Sequence, residues 1–147
     1  MLITILVFIL ILSVLVLIHE LGHYLVAKKF GIKVEEFGLG FPPRVWGKKI
    51  GETLYSINLL PIGGFVKLYG EDEAGSGRLS SKSEARNSKK DLDRAFFARP
   101  IWQRALVVVA GVVMNFILAV AIVTYLFTFE GVPSPGNKIV ISEVIKG

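Results

Sequence analysis

Two long uncharged stretches frame this chain. In residues 1–18 only Thr4 and Ser13 are polar, and after a short polar interruption the apolar character continues to Ala27. In residues 105–129 only Asn115, Thr124 and Thr128 break a second apolar run. A helix needs about 20 such residues to cross a bilayer's hydrocarbon core. The pattern predicts one transmembrane helix over residues 1–27 and another over 102–129. A cleaved signal peptide would need a basic start and a small-residue cleavage site. Met1-Leu2-Ile3-Thr4-Ile5 carries no basic side chain, and Lys28-Lys29 follows the run, so the first helix is expected to be retained.

Between the helices the pattern changes twice. Residues 32–69 read as strands and turns. Gly38-Leu39-Gly40-Phe41-Pro42-Pro43 is a turn-rich stretch that no helix could traverse, Thr53 to Leu59 and Phe65 to Tyr69 are candidate strands, and Pro61-Ile62-Gly63-Gly64 is the candidate turn between them. The resulting hairpin is more apolar than a soluble one, and the pattern alone fits a cytoplasmic and a membrane-associated hairpin equally. Residues 71–94 hold 12 charged residues and five serines in 24 positions. Such a composition cannot bury enough apolar surface to offset chain entropy, so residues 70–99 are expected to be a flexible linker. Trp102 is expected at headgroup depth at the start of the second helix. Residues 138–147 look like the opening strand of another domain.

Composition sharpens this picture. The chain has 147 residues, 52% of them apolar, a net charge of +5 and no cysteine. Disulfides and thiolate metal sites are therefore excluded within it, and any metal must use nitrogen and oxygen ligands. Fifteen of the 17 Lys and Arg lie between Lys28 and Arg104. By the positive-inside rule the loop 28–104 is cytoplasmic and both ends face outward, which implies a multi-pass protein of the inner or plasma membrane. The basic residues are spread between spans rather than grouped on a helix with aromatic partners, so no nucleic-acid partner is expected. The lipid bilayer is.

The polar interruption in the first helix carries the chemistry. Both histidines of the chain fall in His19-Glu20-Leu21-Gly22-His23. Ionisable groups at membrane depth are costly and mark functional sites. On a helix, positions i and i+4 lie about 40° apart, so both imidazoles can reach one Zn²⁺ with Glu20 beside them as general base. The helix C-terminus adds a dipole that favours a cation. Zinc lowers the pKa of a bound water to about 7, which Glu20 would exploit by taking its proton and later giving it to the leaving amine. A catalytic zinc wants a third protein ligand. The aspartates Asp72, Asp91 and Asp93 all lie in the charged stretch and none is convincing. On the second helix, Asn115 recurs with Gly111 and Ala119 at fourfold spacing. That face suits close packing against the first helix, with the Asn amide bonding across the interface or to a peptide. Gly63-Gly64 is either a simple turn or a place where an extended peptide approaches the backbone beside Phe65 and adds a strand.

Taken together, these motifs resemble the N-terminal part of a bacterial site-2 protease, of the regulator-of-sigma-E type of intramembrane zinc metalloprotease. The resemblance rests on the histidine helix, Phe37-Gly38-Leu39-Gly40-Phe41, Pro61-Ile62-Gly63-Gly64-Phe65-Val66-Lys67 and Ala110-Gly111-Val112-Val113-Met114-Asn115. Members often have proline where this chain has Val112. The resemblance implies a membrane-dipping β-loop over residues 32–69 that presents substrate as a strand, using Gly63, Gly64 and Phe65, and a substrate-handling role for Asn115. It also implies a third zinc ligand, the Asp of an Asp-Gly motif on a later helix, and a PDZ domain beginning near residue 138, so the chain is expected to be a fragment. The implied activity is hydrolysis of transmembrane segments of other proteins, such as anti-sigma factors or signal-peptide remnants. The reading from another class is a non-catalytic membrane scaffold that keeps the fold and binds helices through Asn115 and the β-loop.

Overall fold

The computed structural model describes residues 1–71 and 92–131. Most of the expected linker, the residues expected to open a further domain, Asp72 and Asp91 lie outside these. The described elements are helix α1 (Leu2–Lys29), strands β1 (Val34–Ile50) and β2 (Thr53–Leu68), a short 3₁₀ turn (Phe96–Ala98) and helix α2 (Ile101–Phe129).

Both helices are long and apolar enough to cross a membrane, at 28 and 29 residues. Apolar side chains along the first half of α1 and the second half of α2 are exposed, as Leu6, Phe8, Leu10, Ile122 and Phe127 are. At its other end α1 is closed by glycine chemistry. Gly31 takes φ +70, its N–H donates to the Lys28 carbonyl at 3.0 Å, and the Ile32 N–H reaches back to the Ala27 carbonyl at 3.0 Å. This paired-bond ending needs a left-handed residue after the cap and an apolar contact across the last turn. Ala27 and Ile32, both fully buried, supply that contact. They seed a small core with Val34, Leu68, Phe96 and Val107, so the start of β1, the end of β2 and the first turns of α2 all meet at this end of α1. Full burial of side chains the size of Ile32, Val34 and Val107 contributes about 1.5–3 kcal/mol each.

The two helices touch over a short length. A Cβ on Gly22 would collide with the Ala110 carbonyl and the Met114 side chain, so the backbones approach closely there. The buried and half-buried positions of α2 are 103–104, 107, 110–111, 114–115 and 118. The small-residue face expected from Gly111, Asn115 and Ala119 is thus realised at Gly111 and Asn115, whereas Ala119 is exposed and the contact ends one residue earlier.

The sheet corrects the sequence reading. Its turn is Gly51-Glu52, with Gly51 at φ +63, and not Pro61-Ile62-Gly63-Gly64; the stretch 38–43 lies inside β1. The strands pair antiparallel overall, from Ile50↔Thr53 to Arg44↔Asn58 near the turn and from Leu39↔Gly64 to Val34↔Leu68 at the far end. Residues 36–39 also face residues 54–57, with both numbers rising together. Each strand therefore bends back on itself, and four short segments lie side by side in the order 44–50, 53–58, 34–39 and 64–68. The bends carry Gly40 and Gly63, both at φ +76. Glycine and proline mark these bends correctly as breaks, but periodicity alone cannot distinguish a bend within a strand from the end of one.

α1 holds this sheet at both ends. At the bent end, the Ser13 Oγ lies 2.7 Å from the Pro61 carbonyl and 2.8 Å from the Ile9 carbonyl, and the Gly63 N–H donates to it at 3.4 Å. At the turn, Lys28 donates to Glu52 at 2.8 Å and Arg94 grips both oxygens of the same carboxylate at 2.7 Å. Arg94 and Arg99 also donate to the Gly31 carbonyl, each at 3.1 Å. The sheet thus runs beside α1 from Ser13 to Lys28, about 22 Å of helix.

The Arg94 hydrogen bonds, with Lys28 behind them, hold the Glu52 carboxyl at a pKa of about 2 against partial burial that pushes the other way. Because the folded value is depressed, the stabilisation is complete above the ordinary carboxylate range near 4.5 and is lost as pH falls through about 2. Glu52→Gln is expected to lower stability by roughly 1 kcal/mol at pH 7, since the pair is partly exposed. The difference from the unaltered protein should shrink between pH 4.5 and 2, read by thermal unfolding in detergent; a difference independent of pH would contradict the clamp.

Candidate active site

α1 presents His19, Glu20 and His23 where it crosses α2 and the sheet edge. One turn of helix separates the two imidazoles, whose centroids lie 4.8 Å apart at a near-perpendicular angle. The decisive neighbour is Gly111 of α2. A Cβ built there would stand 2.6 Å from the Nε2 of His19 and 2.6 Å from the Nε2 of His23. Both Nε2 atoms therefore lie against a space that exists because residue 111 has no side chain.

The tautomer of His23 is set by the same helix. Its Nδ1 lies 2.7 Å from the Val107 carbonyl, which can only accept, so Nδ1 carries the proton and donates it. Nε2 is then left with a free lone pair, the state a metal-binding imidazole needs, and the bond fixes the ring's orientation. Glu20 is held from the opposite side: its Oε2 accepts the Val66 N–H of β2 at 3.1 Å. The bond comes from segment 64–68, which pairs with residues 34–39 on one side only and turns its other edge to the site. Glu20, His23, Val66, Leu68, Phe96 and Val107 line a cavity of about 290 Å³, with Glu71 also on its wall.

One ligand atom each from His19, Glu20 and His23 lies within 4.8 Å of the others. This is the one such group among the described residues, and Asp93 is not part of it. The two imidazole nitrogens, in a chain with no sulfur from cysteine, suit zinc and leave positions for a further protein ligand and a water, with the Glu20 carboxylate beside them. The Nε2 lone pair left by the His23–Val107 bond, the neighbouring Nε2 of His19 and the space beside Gly111 fit the ion.

The remaining expected site residues fall as follows. Asn115 lies one turn beyond Gly111 on the α1-facing side of α2, and its Oδ1 is buried with no hydrogen-bond partner among the described residues. Gly63 and Gly64 do not form a turn. A Cβ on Gly63 would stand 3.2 Å from Val16, and one on Gly64 would stand 2.9 Å from the Gly38 carbonyl, so these glycines let β2 lie against α1 and β1. The Phe65 ring covers Gly38, where no side chain could fit beneath it. The contributions of Ser13, the Val107 carbonyl, the Val66 N–H and Glu71 were not foreseen. Two of these are backbone atoms with no signature in sequence. Ser13 offered one signal, as a lone hydroxyl in an apolar helix. The exactness of Gly111's position was hidden inside a general small-residue pattern.

Comparison with known proteins gives this constellation a family. The model of peptidase family M50 matches residues 7–146. The chain belongs to peptidase family M50. A Thermotoga maritima protein provisionally named a zinc metalloprotease is 35% identical over 140 residues, covering 95% of this chain and 25% of its own length. A Clostridium perfringens protein with the same provisional name is 44% identical over 110 residues, covering 75% of this chain and 28% of its own. The chain thus spans about a quarter of the length of these curated relatives. The His-Glu-His group is the part of the M50 chain in hand that can bind metal.

Gly111→Ala places a methyl group in the space on which both Nε2 atoms converge. In the full-length M50 protein it should lower zinc content at least tenfold by elemental analysis while leaving the helical circular dichroism unchanged. Zinc bound at the original stoichiometry by the alanine variant would show that the ion does not sit there.

Proposed function

We propose that this chain is the zinc-binding and substrate-presenting part of a membrane-embedded metalloendopeptidase of the site-2 type, one that hydrolyses transmembrane segments of other proteins such as anti-sigma factors or signal-peptide remnants. The convergence of two oriented imidazoles on the Gly111 space, with a carboxylate held beside them, carries this reading. A scaffold that only binds helices has no use for that arrangement. His19 lies nine residues before Lys28, about 14 Å along the helix axis, which places the site well inside the hydrocarbon if Lys28 sits at the surface.

In this account His19 and His23 hold zinc through Nε2, and the third ligand comes from outside the described residues. Bound zinc supplies Lewis acidity that makes water a nucleophile near neutral pH. Glu20 takes the water's proton on its carboxylate and passes it to the departing amide nitrogen. The Val66 N–H keeps that carboxylate aimed at the cavity. A transmembrane substrate arrives as a helix with its peptide groups bonded internally, and cleavage requires it to extend. At residues 64–68 the Val66 and Leu68 N–H groups are held by the Glu20 and Glu71 carboxylates and not by a further strand, so in this account the extended substrate adds along this edge through its remaining backbone groups. Asn115, with its unspent amide oxygen, receives a donor from the bound peptide or from water.

In the full-length protein Glu20→Gln should keep zinc and lose at least about 100-fold of the cleavage rate, the usual weight of a general base. Undiminished cleavage by that variant would remove Glu20 from the role. We place the charged loop 28–104 in the cytoplasm, and the start of α1 and the end of α2 outside. A phosphatase reporter inserted after Ser80 should then be inactive and one after Gly136 active, and the reverse pattern would overturn the orientation.

A further inference from the structure

The outer edge of the sheet, residues 44–50 of β1, takes no part in the site described above. It pairs with β2 on one side, and every residue from 41 to 50 is exposed. Trp46 is 54% exposed in the middle of it. Arg44 is engaged by both oxygens of Glu36 at 2.9 Å, whereas Lys48 and Lys49 make no ion pair among the described residues. The depth of this edge can be read against α1. Lys48 lies opposite Tyr55, whose hydroxyl meets the Tyr24 hydroxyl at 2.6 Å, and Ile50 adjoins the turn that Lys28 holds through Glu52. The Lys48–Ile50 end of the edge therefore stands beside the last turn of α1, about 6 Å of helix between Tyr24 and Lys28. Phe30 just beyond that turn packs edge-on against Trp102 at 5.4 Å, which puts Trp102 at this level, whereas Trp46 lies further along the edge, in the row Trp46–Ile57–Leu39–Gly64 that meets α1 at Leu17.

We propose that the Lys48–Ile50 end of this edge docks on lipid headgroups and that Lys48 and Lys49 select anionic phospholipids in the leaflet where Lys28 emerges. Lysine can lay its apolar stem along the strand while its ammonium reaches phosphate, and the exposed Trp46 lies on the same edge, toward the acyl chains of those lipids. Two cations without a protein counter-charge leave the edge complementary to an anionic surface. Lysine on an edge also discourages addition of a further strand. This inference rests on the membrane-embedded reading but not on proteolysis.

The test uses the full-length protein carrying Trp102→Phe, so that Trp46 reports from this chain, with any tryptophan elsewhere also replaced by phenylalanine. It is reconstituted in phosphatidylcholine bilayers containing brominated phosphatidylglycerol or brominated phosphatidylcholine as the quencher. Both lipids should quench Trp46, with phosphatidylglycerol favoured at least about five-fold at low salt, the equivalent of one lysine's attraction near an anionic surface. Replacing Lys48 and Lys49 with glutamine should bring the preference to about one, and replacing both with arginine should retain it. Equal quenching by the two lipids, or a preference that survives glutamine, would overturn the headgroup selection and leave the membrane placement standing. Failure of either lipid to quench would put Trp46 outside the bilayer and overturn the proposal at its premise, while the role of Glu20 is judged separately by the cleavage rate of Glu20→Gln.

Discussion

The side chains of one apolar helix hold the polar groups of the bent sheet that lies beside it. In this chain α1 carries that task along its length. Ser13 meets the backbone at the Pro61–Gly63 bend, Glu20 meets the Val66 N–H, Tyr24 meets Tyr55, and Lys28 meets Glu52 at the turn. These four contacts recur every four to seven residues along the helix. The catalytic candidate among them, Glu20, is thus also a structural contact, and removing the sheet would leave its carboxylate without a fixed direction.

The same economy appears where the helices cross. Gly22 lets α2 approach α1, and Gly111, on the facing turn, leaves the space that both imidazoles address. Val107, one turn before Gly111, is buried in the small core and its carbonyl orients His23. Packing and site are therefore not separable in this region. A substitution that loosens the core at Val107 would tilt the histidine, and one that fills Gly111 would exclude the ion.

What could be read from sequence follows from which interactions have a side-chain signature. The two helices were legible because lipid selects long apolar runs, and His19, Glu20 and His23 because charge at that depth needs a reason. Asn115 stood out as a strongly polar residue in an apolar run; it is half-buried, and its buried amide oxygen has no hydrogen-bond partner among the described residues. The sheet was legible only as β structure. Glycines and prolines marked Gly40 and Pro61–Gly63 as breaks, but whether the chain ends a strand or bends within it depends on Ser13, almost 50 residues away, and on the Gly38 and Leu60 carbonyls. The real turn, Gly51-Glu52, had an ordinary Gly signal, and it is fixed by Lys28 and Arg94 from two distant parts of the chain. Long-range hydrogen bonds to backbone atoms, including those from Val66 and to Val107, leave no trace in local pattern.

The central claim is that His19 and His23 share one ion in the space beside Gly111, each through Nε2. X-ray absorption at the zinc edge of the full-length protein tests it most directly. The account predicts nitrogen and oxygen neighbours at about 2.0–2.1 Å and the outer-shell scattering of two imidazoles, with one imidazole lost in His19→Ala and one in His23→Ala. A sulfur shell, or a spectrum unchanged by either substitution, would contradict it.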